Sequence, residues 1–155
     1  MKLIAHRGLF NGPDKNLENK PEQIMLALQQ GFECEIDVWV VNSELWLGHD
    51  GPHYAIDRDF LRTPRLWIHA KNLAALRFLL DTNYNYFWHE EDSFTLTSTG
   101  IIWTYPGEEL TTQSVAVMPE WHDPEFKNLN INCYGICSDF VQTIQQMWQK
   151  SHIKD

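Results

Sequence analysis

Leu3-Ile4-Ala5-His6-Arg7-Gly8-Leu9-Phe10-Asn11-Gly12 opens as a short apolar strand and breaks into a loop at His-Arg-Gly. Lys2 to His6 reads as strand one. Gly8, Gly12 and Pro13 keep the segment after it a loop. This first turn has neither the glycine pattern of a dinucleotide-binding fold nor a phosphate loop. An open doubly wound sheet, with its ligand at a switch point, is therefore disfavoured. An α/β barrel of the TIM type is favoured, because there the chemistry gathers just past the strand ends.

Outward from that stretch, the alternation continues. Asn19-Lys20-Pro21-Glu22 predicts a helix start, with Asn19 as N-cap and Glu22 at the capping-box position. Ile24, Ala27 and Leu28 follow at helical spacing and Gly31 stops the helix, which gives about Lys20 to Gln30. Phe32 to Val41 reads as strand two. Asn42-Ser43 is a turn, and Leu45 to Gly48 a short strand leading into His49. Arg65 to Ala70 is strand three, and Asn72 caps a helix through Leu73, Leu76 and Leu80. Tyr86–Trp88, Ile101–Thr104, Val115–Met118 and Tyr134–Cys137 read as later strands. Asp139 is expected to cap the last helix. Apolar strands alternating with helices predict a parallel α/β sheet of about seven strands. A single domain over 1–155 is expected, without repeats or linkers.

The composition narrows the partners. The chain has 155 residues, 43% hydrophobic and 13% aromatic, with a net charge of -9. A general nucleic-acid or anionic-membrane binder needs a basic face that this chain does not advertise. A small phosphate substrate stays open, because a local cationic pocket can sit in an acidic protein. No apolar run approaches the roughly 20 residues of a membrane helix. The residues ahead of His6 are too few for a signal peptide. With three cysteines, Cys34, Cys133 and Cys137, reduced thiols and a cytoplasmic location are expected.

Glu35 and Asp37 lie two apart on a strand, so both face one side. Two carboxylates on a central strand are costly unless paired or bound to a cation. On an edge strand they would simply be solvated. Oxygen ligands suit Mg²⁺, Ca²⁺ or Mn²⁺. His69 and Lys71 repeat the spacing on strand three, the first to complete a metal site and the second to hold a phosphate oxygen. His6 and His49 are the candidate acid and base, since imidazole titrates near neutrality. Arg7 suits bidentate phosphate recognition. Glu18 reaches this group only through water or another residue. His89 is a possible pocket residue, and Trp103 is core or pocket. His53, His122 and His152 are taken as surface.

Ile4-Ala5-His6-Arg7-Gly8, Glu18-Asn19, Glu35-Ile36-Asp37-Val38 and His49-Asp50, in that order, resemble the glycerophosphodiester phosphodiesterase family. Ile68-His69-Ala70-Lys71-Asn72 is similar to its third-strand motif, and Cys137-Ser138-Asp139-Phe140 to its last strand. The resemblance is specific over roughly the first half of the chain. It implies a TIM-type barrel and metal-dependent hydrolysis of a phosphodiester. It also implies His6 and His49 as acid and base, Glu35 and Asp37 as metal ligands, and Arg7 and Lys71 as phosphate contacts. Two departures stand out. His69 occupies the position of a third, glutamate ligand, and a softer nitrogen ligand favours Mn²⁺ or Zn²⁺ over Mg²⁺ or Ca²⁺. Barrels of this kind run to about 250 residues, so this one must be incomplete or lack crossover helices. The expected substrate is a small soluble glycerol- or sugar-linked phosphodiester. A lyase giving a cyclic phosphate, and a non-catalytic sugar-phosphate binding protein on the same scaffold, are the alternatives.

Overall fold

The computed structural model describes residues 1–129 and 132–152, the last two as backbone only. The side chain of His152 therefore lies outside the described residues. Ten strands form one curled, mixed sheet. In chain order the elements are β1 (Lys2–Ala5), α1 (Pro21–Gln29), β2 (Glu33–Val41), β3 (Glu44–Leu47), β4 (Tyr54–Ile56), α2 (Arg58–Leu61) and β5 (Leu66–Ala70). There follow α3 (Leu73–Leu80), β6 (Tyr86–Phe87), β7 (Phe94–Leu96), β8 (Ile102–Thr104), β9 (Ser114–Val117), β10 (Gly135–Ser138) and α4 (Val141–His152).

The neighbour order is β4-β3-β2-β1-β10-β9-β8-β7, with β5 on the other flank of β2 and β6 beside β5. The ladders joining β6, β5, β2, β1, β10, β9 and β8 are all parallel. β3, β4 and β7 run antiparallel to their neighbours. The expectation of a wholly parallel sheet is thus corrected, and the strand count is higher than the pattern predicts. A backbone bond from Ser98 N–H to Tyr86 O at 2.8 Å ties the free flank of β6 to the chain just past β7, so the sheet curls toward itself.

β2 is long enough to serve two roles. Its first half lies between β1 and β5. Its second half exchanges β1 for β3 through a hairpin at Asn42-Ser43, both at positive φ, as a two-residue turn matched to strand twist requires. β2 is therefore central, and the solvated-edge reading of Glu35 and Asp37 fails.

Period-2 alternation sorts the side chains. Ile4, Trp67, Phe87, Trp103, Val115 and Cys137, one each from six parallel strands, form a buried cluster inside the curl. Ala5, Cys34, Ile36, Ile68 and Ala70 face outward and pack with Ile24, Ala27 and Leu28 of α1 and Ala75 and Leu79 of α3. Each large apolar side chain so buried contributes about 1.5–3 kcal/mol. The inward column of β2 is acidic: Glu33, Glu35 and Asp37. Glu33 is neutralised at the base, accepting from Trp67 Nε1 at 2.7 Å and pairing with Lys2 Nζ at 2.6 Å. The other two sit toward the strand's C-terminal end, where Arg7, Asn19, His69 and Lys71 gather around them.

Between β8 and β10 the chain runs without an α-helix among the described residues, which shortens the fold as the length implied. No described helix is long and apolar enough to cross a membrane. The three cysteines are buried thiols, with the Cys34 thiol pushed up to about 12 by burial.

Candidate active site

The loop after β1 turns back sharply because Arg7 and Gly8 take φ of 54° and 79°. A Cβ on Gly8 would stand 3.0 Å from Ile24 Cγ1, so only glycine lets the start of α1 lie this close to the loop. The turn aims the Arg7 N–H at Glu35 Oε2, 3.0 Å away, and swings the guanidinium over the carboxylates. Arg7 Nη1 donates to Glu18 Oε2 at 2.9 Å, and Nε lies 3.4 Å from Asp37 Oδ2. Glu18 thus reaches the site through another residue, as one of its two routes allowed.

Asn19 corrects the sequence reading. The N-cap position of α1 is Lys20, which makes no side-chain cap bond. Asn19 is fully buried, at φ 58°. Its Nδ2 donates to Asp37 Oδ2 at 2.8 Å, and its Oδ1 accepts from the Asp37 N–H at 2.9 Å. It clamps the carboxylate. Asn72, in contrast, is a cap: its Oδ1 accepts from Ala75 N–H at 2.9 Å. Asp139 also departs from its expected cap role. Its Oδ1 lies 2.8 Å from His6 Nδ1, and the turn at β10 is held instead by Ser138 Oγ accepting from Phe140 N–H.

Asp37 is the hub of the site. Beyond Asn19 and Arg7, its oxygens face His49 Nδ1 at 3.5 Å, His69 Nδ1 at 3.1 Å and Lys71 Nζ at 3.8 Å. Register explains the convergence: Asp37 stands opposite His69 and Val38 opposite Ala70 on β5. His49 arrives from the β3 hairpin, where Trp39 Nε1 donates to Gly48 O at 2.7 Å. Gly48 itself takes φ 155°, with Gly51 O 1.9 Å from where a Cβ would be.

Charge follows from these contacts. Burial alone would raise the Asp37 pKa, but the neighbouring His49 and His69 rings and the Arg7 guanidinium hold it well below the ordinary carboxylate range. Burial pushes Glu35 up, and the Asp37 charge pushes it the same way. Burial opposes protonation of His6, yet the Asp139 hydrogen bond and the Glu35 charge outweigh it, and its pKa is raised. His89 is lowered, by burial first and then by the charge of His69.

His69 fixes its own tautomer. Nε2 lies 2.8 Å from the His89 carbonyl oxygen, and a carbonyl only accepts, so Nε2 carries the proton. Nδ1 is turned toward Asp37 Oδ1 and, at 3.9 Å, Glu35 Oε1. Acceptor atoms at 3.1 Å repel unless a proton or a cation lies between them. Ligand atoms of Glu35, Asp37 and His69 all lie within 4.8 Å of one another. A histidine whose far N–H binds a backbone carbonyl is the usual outer arrangement of a metal ligand. The donor set therefore fits a divalent cation.

His6, Arg7, Glu35, Asp37, His49, His69 and Lys71 line one cavity of about 290 Å³, together with His89, Glu90, Trp103, Tyr105 and Trp121. Every residue that the sequence nominated for catalysis, metal or phosphate is at this wall. His53 and His122 are exposed. Tyr105, directly after β8, and Trp121, on the turn that follows β9, were missed. In comparisons with protein-family models, curated proteins and solved structures, nothing matches this chain.

Proposed function

We propose that this chain is a metal-dependent phosphodiesterase on a shortened TIM-type barrel, a divergent relative of the glycerophosphodiester phosphodiesterases. The observation that carries the reading is the His69 ring, its Nδ1 turned toward two buried carboxylates while its Nε2 is committed to the His89 carbonyl and Arg7 and Lys71 flank them. A divalent cation on Glu35, Asp37 and His69 (Mg²⁺, Ca²⁺ or Mn²⁺) would supply Lewis acidity toward a phosphoryl oxygen and lower the pKa of a bound water.

The chain's own groups supply the rest. Arg7 and Lys71 place positive charge where negative charge grows on the phosphorus oxygens. Asn19 holds Asp37 in one rotamer, and Glu18 holds Arg7. His49 takes a proton from the attacking water as its oxygen bonds to phosphorus. The bond from phosphorus to the alcohol oxygen breaks, and the departing alkoxide takes a proton from His6. Asp139 keeps the His6 Nδ1 proton in place, so Nε2 is the nitrogen that exchanges with substrate. Hydrolysis consumes one water and yields a phosphomonoester and an alcohol.

The test is turnover of bis(p-nitrophenyl) phosphate and of glycerophosphoglycerol with a panel of Mg²⁺, Ca²⁺ and Mn²⁺. Activity should vanish with chelator and fall at least about 10²-fold in His6→Ala and in His49→Ala. Turnover indifferent to both chelator and the histidine variants sinks the proposal. Incorporation of one solvent ¹⁸O into the phosphate distinguishes water attack from a cyclising lyase.

A further inference from the structure

The phosphate centre opens sideways. Tyr105, Pro106 and Val117 form the boundary between its cavity and a second one of about 320 Å³. Two aromatic side chains stand at the mouth with their surfaces free: Trp121 is 60% exposed and Tyr105 42%. Tyr105 sits near the His89 ring, with centroids 6.2 Å apart. Trp121 is carried on a tight 3-10 turn, Pro119–Trp121, launched by Met118 at φ 45°. Large exposed aromatics on a rigid turn at a cleft, rather than in the core, point to a flat or ring-shaped ligand.

The second cavity has two characters. Leu110, Ala116, Val117 and Leu129 make an apolar floor, and Glu108, His122, Asp123 and Asn128 a polar wall. Among the described residues, neither the His122 ring nor the Asn128 side-chain amide has a hydrogen-bond partner. His122 lies so close over Gly107 that a Cβ there would meet its Nε2 at 2.9 Å. An acyl chain would strip water from this wall without replacing its hydrogen bonds. A polyanionic nucleic acid would meet Glu108 and Asp123 in a chain of net charge -9. A sugar satisfies both halves, with its C–H face on the aromatics and its hydroxyls on carboxylate, imidazole and amide.

We infer that one alcohol of the phosphodiester is a sugar, which stacks on Tyr105 and Trp121 and extends its hydroxyls toward His122, Asp123 and Asn128. This rests on the phosphodiesterase reading and names the substrate class for it. Trp121 and Tyr105 are then specificity determinants, and the cavity of about 290 Å³ beside the carboxylates takes the phosphate and the smaller alcohol.

The experiment compares three diesters of glycerol phosphate: with glycerol, with the 6-hydroxyl of a hexose, and with a monoacylglycerol. The wild-type protein should prefer the hexosyl diester. Trp121→Ala should raise KM for that substrate about three- to tenfold, the range of one stacking contact, and Trp121→Phe should restore it. His122→Ala tests the polar wall by the same ratio of hexosyl to glyceryl kcat/KM. A preference for the glyceryl or acyl diester, or a ratio that Trp121→Ala leaves unmoved, overturns the sugar assignment while the phosphodiesterase reading stands. Absence of turnover on all three diesters in every metal overturns both.

Discussion

His6 Nδ1 lies 2.8 Å from Asp139 Oδ1 although the two are 133 residues apart in the chain. β1 and β10 are parallel neighbours with Ala5 opposite Ser138, so the next residue on each strand meets across the ladder. Burial disfavours the imidazolium, yet the Asp139 bond and the Glu35 charge leave the His6 pKa above its ordinary value. A raised folded-state pKa contributes stability that is complete below the unfolded value of about 6.5 and lost as pH rises through the folded value. Asp139→Asn should therefore cost about 2 kcal/mol near pH 5.5, the scale of a hydrogen bond to a charged group, and distinctly less near pH 9. Urea unfolding of metal-free protein at the two pH values checks this. The His6 ring-proton titration should move down in the variant, and an unmoved midpoint would show that Asp139 does not govern it.

Cation binding should release a proton. Burial and the Asp37 charge hold the Glu35 carboxyl above its usual range, and a ligand must be deprotonated to bind. Affinity for Mn²⁺ should rise with pH until Glu35 ionises in the free protein. Calorimetry in buffers of different ionisation enthalpy counts the proton directly. His69→Ala should weaken binding at least about tenfold, and His69→Glu should shift the preference from Mn²⁺ toward Mg²⁺ by replacing nitrogen with oxygen. Affinity that stays flat as pH rises from the ordinary carboxylate range, about 4.3, would show that the free protein does not hold a proton on Glu35.

Asn19→Ala is expected to be a severe substitution for so small a change. It removes both bonds of the clamp, strands the Asp37 N–H in the interior and leaves Oδ2 only its longer approaches to Arg7 and His49. Unsatisfied buried groups cost about 1–3 kcal/mol each. The positive φ of Asn19 adds strain for alanine, while Asn19→Gly relieves the strain and still lacks the clamp. Glycine should thus recover only part of the loss in a denaturant series. Equal stability of alanine and wild type would mean that the clamp contributes nothing.

The sequence carried the site further than the fold. Glu35/Asp37 and His69/Lys71 were legible because period-2 spacing on apolar strands fixes which side chains share a face, whatever the topology. Their meeting across β2 and β5 needed only neighbouring strands. β4, α2 and β7 were not legible. Tyr54–Ile56 and Phe94–Leu96 are three-residue strands, too short for alternation to register, and Arg58–Leu61 is a single turn. Asn19 and Asp139 were misread for one reason. Each is a good cap residue placed just before a helix, and local propensity cannot see Asp37 or His6, which supply stronger tertiary partners. Asn72 also has a tertiary partner, the Val40 backbone, but its Oδ1 still accepts from Ala75 N–H, and there the cap reading agrees with the structure.

Lys71 and Arg7 make separable contributions, because their attachments differ. Arg7 is fastened by Glu18 at 2.9 Å and by its backbone N–H on Glu35, so its guanidinium is already oriented before substrate arrives. Lys71 touches Asp37 only at 3.8 Å and keeps its ammonium available to a phosphate oxygen. Lys71→Met should therefore weaken competitive inhibition by inorganic phosphate and lower kcat/KM by about 10²-fold, with stability nearly unchanged. Glu18→Gln should act through Arg7 alone, lowering kcat/KM less and leaving phosphate inhibition close to wild type. Arg7→Lys keeps the charge but loses the planar fork, and it should fall between these two in kcat/KM. Inhibition constants and kcat/KM measured on the three variants test the order. If Glu18→Gln proves more damaging than Lys71→Met, then orientation of Arg7, rather than a second free cation, is what the transition state depends on.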